Sequence, residues 1–321
     1  MSHPLENLNV DRTPRNWDER TRNGAPHKPF LLLSILDGLD QGWITGNKIE
    51  LSQELIETFR MYWNGIIGEH RATTIALPFY HMNSEPFWRL VYADGAKPYA
   101  NSPSLGGLKN RIRHAEIEPA MFEEMSNPAS RKRLWKTILN RYFSPETTRQ
   151  VTDLSEFNNQ THDYAGHLDS LAANPFQVDH TGEKEIQYRV TRTAVRDIGF
   201  SLSVRRAYNY TCTICRSRLM TPTGYTLVDG AHIIPFNSSQ NNDPRNGLAL
   251  CKSHHWMFDH FMLTIGPDYK IRLSNWLDEN DNRVEDVKKW DHLPMALPDQ
   301  HRFHPARAAL EHHFHMFRER Q

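Results

Sequence analysis

The run from Cys212 to Asp259 restricts what this chain can fold into more than any other stretch, because it crowds metal-binding side chains into one short segment at paired spacing. Cys212 and Cys215 form a Cys-x-x-Cys pair, and Cys251 and His254 form a Cys-x-x-His pair. Two such pairs can set four soft or borderline donors tetrahedrally around zinc. Three ionised thiolates, one neutral imidazole and Zn2+ sum to about one net negative charge. The competing reading is three unrelated core cysteines, since cysteine is among the most buried residue types. Paired spacing disfavours that reading. Four protein donors leave no open position, so the expected Zn2+ is structural and pins the start of the segment to the start of a helix near residue 251.

Bulk properties set wider limits. A chain of 321 residues has length for two domains of ordinary size, each with its own core. All three cysteines fall in the cluster. That leaves no disulfide framework and points to a reducing, cytoplasmic compartment. No apolar run approaches the roughly 20 residues that cross a bilayer, and the N-terminus lacks a basic stretch followed by an apolar one. With 38 basic and 38 acidic residues the net charge is zero, so charge alone gives no argument for nucleic-acid binding. Arg131, Lys132, Arg133, Lys136 and Arg141 form a basic run preceded by Lys109, Arg111 and Arg113. The ordinary reading of such a run is a solvated helix face.

Periodicity lays out the rest. Phe30 to Leu39 reads as an apolar helix after a Pro-rich loop, and Leu51, Leu55, Phe59, Tyr62 and Ile66 recur at helical spacing. Thr73–Leu77 and Phe87–Tyr92 are β-branched and aromatic, and Pro78 and Pro86 bracket the gap, so two strands are expected there. Leu134, Ile138, Leu139 and Tyr142 make a helical stripe ending near Pro145. Leu154, Phe157, Tyr164, Leu168 and Leu171 make another. Residues 177–187 read as a polar loop, Ile198 to Tyr208 as a short helix, and Phe261–Ile265 with Tyr269–Leu273 as a hairpin. The tail from His301 to Arg320 reads as helical. The expected class is α+β: a mostly helical domain with a small sheet over 1–150, a helical linker over 151–195, and a zinc-stapled domain over 196–321.

Within that last domain, Asp229-Gly230-Ala231-His232-Ile233-Ile234-Pro235, Asn246-Gly247-Leu248-Ala249-Leu250-Cys251 and His254-His255-Trp256-Met257-Phe258-Asp259 follow in order. Over about residues 195–275 this resembles the HNH (ββα-metal) nucleases, with His232, Asn246 and His255 as the three motif letters. Val228 and Ile233 favour a strand whose end would present His232. A neutral imidazole, with its pKa near neutrality, can take a proton from water attacking a phosphodiester. The resemblance implies that Asn246 fixes the loop and so orients the base, and that products carry 5′ phosphate and 3′ hydroxyl. His255 and Asp259 are four apart, share a helix face, and can bind one divalent cation, Mg2+ or Mn2+. Many members of the family place an acid or histidine ligand just before the base, where this chain has Ala231. Asp229 is a candidate ligand in its stead and equally a candidate turn cap. Spacing from Cys251 assigns His254 to zinc and His255 to the catalytic ion, although neighbouring histidines can exchange these roles. His260 reads as a surface or core histidine.

The first domain carries Arg22-Asn23-Gly24-Ala25-Pro26-His27-Lys28-Pro29-Phe30, then Pro78-Phe79-Tyr80-His81 and Pro86-Phe87-Trp88-Arg89-Leu90. Over about residues 15–145 it resembles the sulfur-binding domain of restriction enzymes that recognise phosphorothioate-modified DNA. A phosphorothioate sulfur is larger, softer and less hydrated than oxygen, so a shallow apolar pocket of Ala25 and Pro26 can favour it by cheap desolvation. Arg22, His27 and Lys28 would then hold the adjoining phosphate oxygen, with Tyr80 and His81 on the rim. The plain alternative is a rigid Pro-rich turn before a core helix. Together these readings predict a modification-dependent endonuclease acting on double-stranded DNA, with a homodimer as a reasonable way to cut both strands. Its rivals are an HNH enzyme reading methylated or unmodified DNA, and a DNA-binding sensor or repressor that does not cleave.

Overall fold

A computed structural model of the chain describes residues 3–13, 15–99, 103–178, 192–277 and 285–321. It divides into two compact units, Met1–Asn159 with Thr221–Tyr225, and Gln160–Met220 with Thr226–Gln321. The partition falls inside one long helix. Of the stretch 151–195 that periodicity suggests as a linker, 151–159 therefore belongs to the first unit and the remainder to the second, with 179–191 outside the described residues. The polar loop expected over 177–187 is described only up to 178.

The first unit is built around α1 (His27–Asp40), in which Phe30, Leu31, Leu32, Leu33 and Ile35 are fully buried. A helix apolar all round has to be surrounded, and its neighbours supply that. After β1 (Lys48–Ile49), α2 (Gln53–Ile66) begins where Ser52 accepts a hydrogen bond from the Leu55 amide, and it buries Leu55, Phe59, Tyr62 and Ile66. The tyrosine hydroxyl bonds the buried Asp37 of α1, to which Ser155 also donates at 3.0 Å. Next come α3 (Ala76–His81), β2 (Trp88–Tyr92), α4 (Leu105–Arg111) and β3 (Ile112–Ile117). Then follow α5 (Pro119–Ser126), α6 (Pro128–Tyr142) and α7 (Pro145–Leu171). The sheet is antiparallel in the order β1-β3-β2, with Lys48 opposite Glu116 and Leu90 opposite Ala115.

Two expectations change here. Thr73–Leu77 is not a strand: the chain turns and enters α3, where the Phe79 amide bonds the Ile75 carbonyl at 3.0 Å. β-branched residues favour a strand, but Pro78 fits the first helical turn, whose amides need no partner, and Phe79 is buried completely. The run that includes Arg113 contains the central strand β3, where Ile112, Ala115 and Ile117 are buried and Arg113 pairs outward with Asp94 at 2.6 Å. The arginines of the basic α6 face are tied within the unit. Arg131 bonds Asp40 at 2.8 Å and the Ser126 carbonyl at 3.0 Å, and Arg141 bonds the Glu6 carbonyl at 2.8 Å.

The second unit takes the later turns of α7 and adds α8 (Arg192–Ala207), β4 (Val228–His232), α9 (Phe236–Ser239), β5 (Gly247–Cys251) and α10 (Lys252–Asp259). A hairpin of β6 (Leu263–Ile265) and β7 (Ile271–Leu273) follows, then α11 (Glu285–Lys288) and α12 (Arg307–Arg318). β4 and β5 pair antiparallel, from Val228 opposite Cys251 to His232 opposite Gly247. Glycines decide how closely α8 crosses this hairpin. A Cβ at Gly230 would lie 2.8 Å from the Ser201 backbone, and one at Gly247 would lie 2.3 Å from a Val204 methyl. α12 packs on β6 and buries Leu310, His313 and Phe317. Among the described residues no helix is long and apolar enough to cross a membrane.

Candidate active site

β4, β5 and α10 form a ββα unit that carries the motif letters at the end of one strand, the start of the next and on the helix. His232 is the last residue of β4, Asn246 precedes β5, and His255 and Asp259 lie on α10. Because side chains alternate along a strand, Gly230 and His232 share the face that meets α8, while Asp229 and Ala231 share the other. The close approach of α8 sets Phe200 flat against the His232 ring, with centroids 3.7 Å apart and planes 6° from parallel. Phe236 lies at 5.7 Å. Burial lowers the His232 pKa, and the nearby charge of His255 adds to that effect. A hydrogen bond with Asn242 and the Asp197 carboxylate act in the opposite direction. The ring is therefore neutral at neutral pH, the state a proton acceptor requires.

Asn246 is fully buried and spent on backbone. Its Oδ1 accepts from the Ile234 amide at 2.9 Å, and its Nδ2 donates to the carbonyls of Ile234 at 3.1 Å and Asn241 at 3.0 Å. The Ile233 amide also bonds the Asn246 carbonyl at 2.8 Å. Asn246 thus fastens the chain leaving β4 to the chain entering β5. The residue bonded to the imidazole itself is Asn242, whose Oδ1 lies 2.9 Å from His232 Nε2.

On α10 the His255 Nε2 is 3.5 Å from an Asp259 carboxylate oxygen, and both side chains are solvent-accessible. Two donors on adjacent turns can hold one hard cation whose other positions are taken by water, as Mg2+ tends to keep them. Asp229 is placed differently from the ligand reading. Its carboxylate pairs with Lys252, and it does not join His255 and Asp259 in any group of closely spaced donors among the described residues.

The group that does form consists of Cys212, Cys215, Cys251 and His254, whose donor atoms all lie within 4.8 Å of one another. A tetrahedral ion with bonds of about 2.3 Å to sulfur and about 2.0 Å to nitrogen needs S···S near 3.8 Å and S···N near 3.5 Å. Cys215 and Cys251 Sγ are 4.0 Å apart, and His254 Nδ1 is 3.5 Å from Cys212 Sγ and 3.1 Å from Cys251 Sγ. The donor set fits the geometry and could bind a zinc. The contact between Cys212 and Cys251 pulls the Cys251 thiol pKa down and pushes that of Cys212 up, with His254 adding to the lowering at Cys251 and burial adding to the rise at Cys212.

In the first unit one cleft of about 330 Å³ is lined by Asp11, Ala25, His27, Lys28, Pro78 and His81, among others. It brings together Ala25, His27, Lys28 and His81 of the expected recognition set. Pro26 is buried at the start of α1, and exposed Arg22 bonds the Phe143 carbonyl at 2.8 Å. Tyr80 bonds the Tyr99 carbonyl at 3.1 Å and packs edge-on to His81 at 5.4 Å. Burial and the charge of Arg71 lower the His27 pKa to about 4, so the ring is neutral. Lys28 lines the cleft but is engaged within the unit. Its residue is only 6% exposed, and its ammonium pairs with buried Glu85 and bonds Ser84 at 2.8 Å. A buried ammonium already neutralised by a carboxylate adds little to an outside anion. Asp11, not anticipated from sequence, sits in the cleft with its pKa lowered to about 2 by hydrogen bonds from Thr13 and Trp17.

The family model HNH_2, an HNH endonuclease, matches residues 212–266. That segment, from the first cysteine through β6, is an HNH endonuclease domain. Among solved structures, a chain described as "Modification dependent TagI restriction endonuclease" is similar at 19% sequence identity with a TM-score of 0.30. The similarity covers 36% of this chain and 36% of that one. No curated protein matches the chain.

Proposed function

We propose that this protein is a modification-dependent restriction endonuclease that hydrolyses double-stranded DNA in its second unit and reads phosphorothioate-modified DNA through its first. The observation that carries the hydrolytic part is the neutral, stacked His232 at the end of β4, in the same ββα unit as the accessible His255–Asp259 pair. His232 takes the proton of the attacking water, Asn246 holds the loop that carries the base, and Cys212, Cys215, Cys251 and His254 would hold a structural Zn2+. His255 and Asp259 would hold Mg2+ or Mn2+, which when bound stabilises the charge on the phosphorane and on the departing 3′ oxygen.

Support for the recognition part is the cleft over Ala25, His27, Pro78 and His81, which combines apolar walls with neutral imidazole. Such a lining suits a soft, weakly hydrated sulfur. One observation favours a second reading. The ionised Asp11 in that cleft repels a phosphate but accepts hydrogen bonds from an exocyclic amino group, which suits a cytosine edge and hence methylated DNA. A panel of matched phosphorothioate, methylated and plain duplexes, incubated with Mg2+ or Mn2+, separates these cases. Cutting confined to the sulfur duplex is expected. Preference for the methylated duplex supports the second reading, and binding without cutting of any duplex supports a sensor.

A further inference from the structure

The loop between α9 and β5 is the least expected part of the second unit. Asn241, Asn242 and Asp243 read as exposed turn residues, yet none is more than 5% exposed. Asn246 and Asn241 account for the loop's backbone: Asn241 Nδ2 donates to the Gln177 carbonyl at 2.7 Å, and its Oδ1 accepts the Asp243 amide at 2.8 Å. Arg245 grips Asp243 and reaches the Leu171 carbonyl at 3.1 Å. Asn242 is left to face the imidazole.

This amide is buried and held on both sides. Its Nδ2 donates to the Tyr164 hydroxyl at 2.9 Å, its Oδ1 lies 2.9 Å from His232 Nε2, and the residue is 3% exposed. Tyr164, on α7, is itself 2% exposed. An amide whose nitrogen is engaged on one side must present oxygen on the other, and an oxygen can only accept. The ring nitrogen facing it must therefore carry the hydrogen. Phe200 stacked on the ring at 3.7 Å blocks one face and resists rotation about the bond that would exchange the two nitrogens.

The geometry points to Asn242, backed by Tyr164, as the positioning residue for His232: it holds the ring as the Nε2–H tautomer and leaves Nδ1 as the nitrogen that accepts a proton. This rests on the nuclease reading for its catalytic meaning, although the tautomer itself does not. In the hydrolytic step the water oxygen bonds phosphorus and the water proton passes to Nδ1. The P–O3′ bond then breaks with its electron pair on the 3′ oxygen, which takes a proton from solvent. A ring in the other tautomer presents N–H to the water and cannot accept. Both Tyr164 and Phe200 lie outside residues 212–266, the segment matched by the family model.

Two readouts test this. Ring 15N NMR of histidine-labelled protein, with the His232 signals assigned by their loss in His232→Gln, reports the tautomer without any cleavage. The wild type should show Nε2–H, and Asn242→Leu should lose that preference. In cleavage assays Asn242→Leu should cut ~10–100-fold more slowly, the usual scale for an orienting partner, with DNA affinity unchanged. Asn242→Asp, which keeps an acceptor toward Nε2, should recover most of the rate and the wild-type tautomer. An Nδ1–H ring in the wild type overturns the proposal whether or not the protein cuts DNA, as does a tautomer unmoved by Asn242→Leu. Should the wild type show Nε2–H and lose it in Asn242→Leu yet cut no duplex, the positioning claim stands and the nuclease reading falls.

Discussion

Replacing Asn246 measures how much of the active-site loop depends on a single side chain. Asn246→Ala removes three hydrogen bonds, to the Ile234 amide, the Ile234 carbonyl and the Asn241 carbonyl, at a fully buried position. Each bond contributes a net ~1 kcal/mol, and each backbone group left buried without a partner costs ~1–3 kcal/mol. Partial relaxation of the loop offsets some of this, which puts the expected loss at roughly 3–5 kcal/mol. In a unit of this size ~1 kcal/mol moves the midpoint by roughly 2–4 °C, so a fall of about 10 °C is expected. Scanning calorimetry of the second unit's transition reads it. Asn246→Asp controls for volume. It keeps the acceptor for the Ile234 amide but turns an oxygen toward two carbonyls, and it should cost at least as much as the alanine. A shift below about 3 °C for both variants would refute the claim that this side chain fastens β4 to β5.

Other perturbations follow from the same geometry. Lys28→Ala strands the buried Glu85 carboxylate and should cost roughly 3–5 kcal/mol in urea melts, whereas the paired change Lys28→Met with Glu85→Gln should recover most of that; an unaffected single variant would return Lys28 to the surface. Cys215→Ser, or chelation at neutral pH, should release one equivalent of zinc by atomic emission and unfold the second unit while the first keeps its transition; a metal content unchanged by the substitution would remove that residue from the ligand set. His313 is stacked between Phe258 and Phe261 and bonded to Thr264, and burial lowers its pKa to about 3. Its folded value lies below the ordinary 6.5, so the unfolded chain binds the extra proton. The stability it contributes is complete above about pH 6.5 and declines as pH falls toward 3, by at most ~1.4 kcal/mol per pH unit. His313→Gln should flatten the stability profile below about pH 6.5, by no more than that slope, and an unchanged profile would show that the ring is not buried neutral.

The sequence carried the ββα unit because the chemistry of that segment is local. Cysteine spacing, the strand before His232, the apolar Leu248-Ala249-Leu250 and the four-residue step from His255 to Asp259 each act over a few positions, and the fold keeps them. What could not be read depended on distant partners. Asn242 looks like a turn residue until α7 supplies Tyr164 and β4 supplies His232. Phe200 looks like any core aromatic until Gly230 and Gly247 let α8 close on the hairpin. Lys28 looks like an anion ligand until Ser84 and Glu85 reach it from more than fifty positions away. β3 was hidden because Arg113, His114 and Glu116 give a central strand an outward charged face, and the buried Ile112, Ala115 and Ile117 are too sparse to mark it. In each case the missing information was a tertiary contact.

The most direct trial of the central claim compares the wild type with His232→Ala on phosphorothioate duplex, reading strand scission and DNA affinity on the same samples with Mn2+ present. Scission should fall by at least ~100-fold, the range general-base removal gives, while affinity stays put and the protein remains folded at the assay temperature. A variant that still cuts at the wild-type rate contradicts the assignment of this imidazole as the base, and with it the reading of the ββα unit as the catalytic centre.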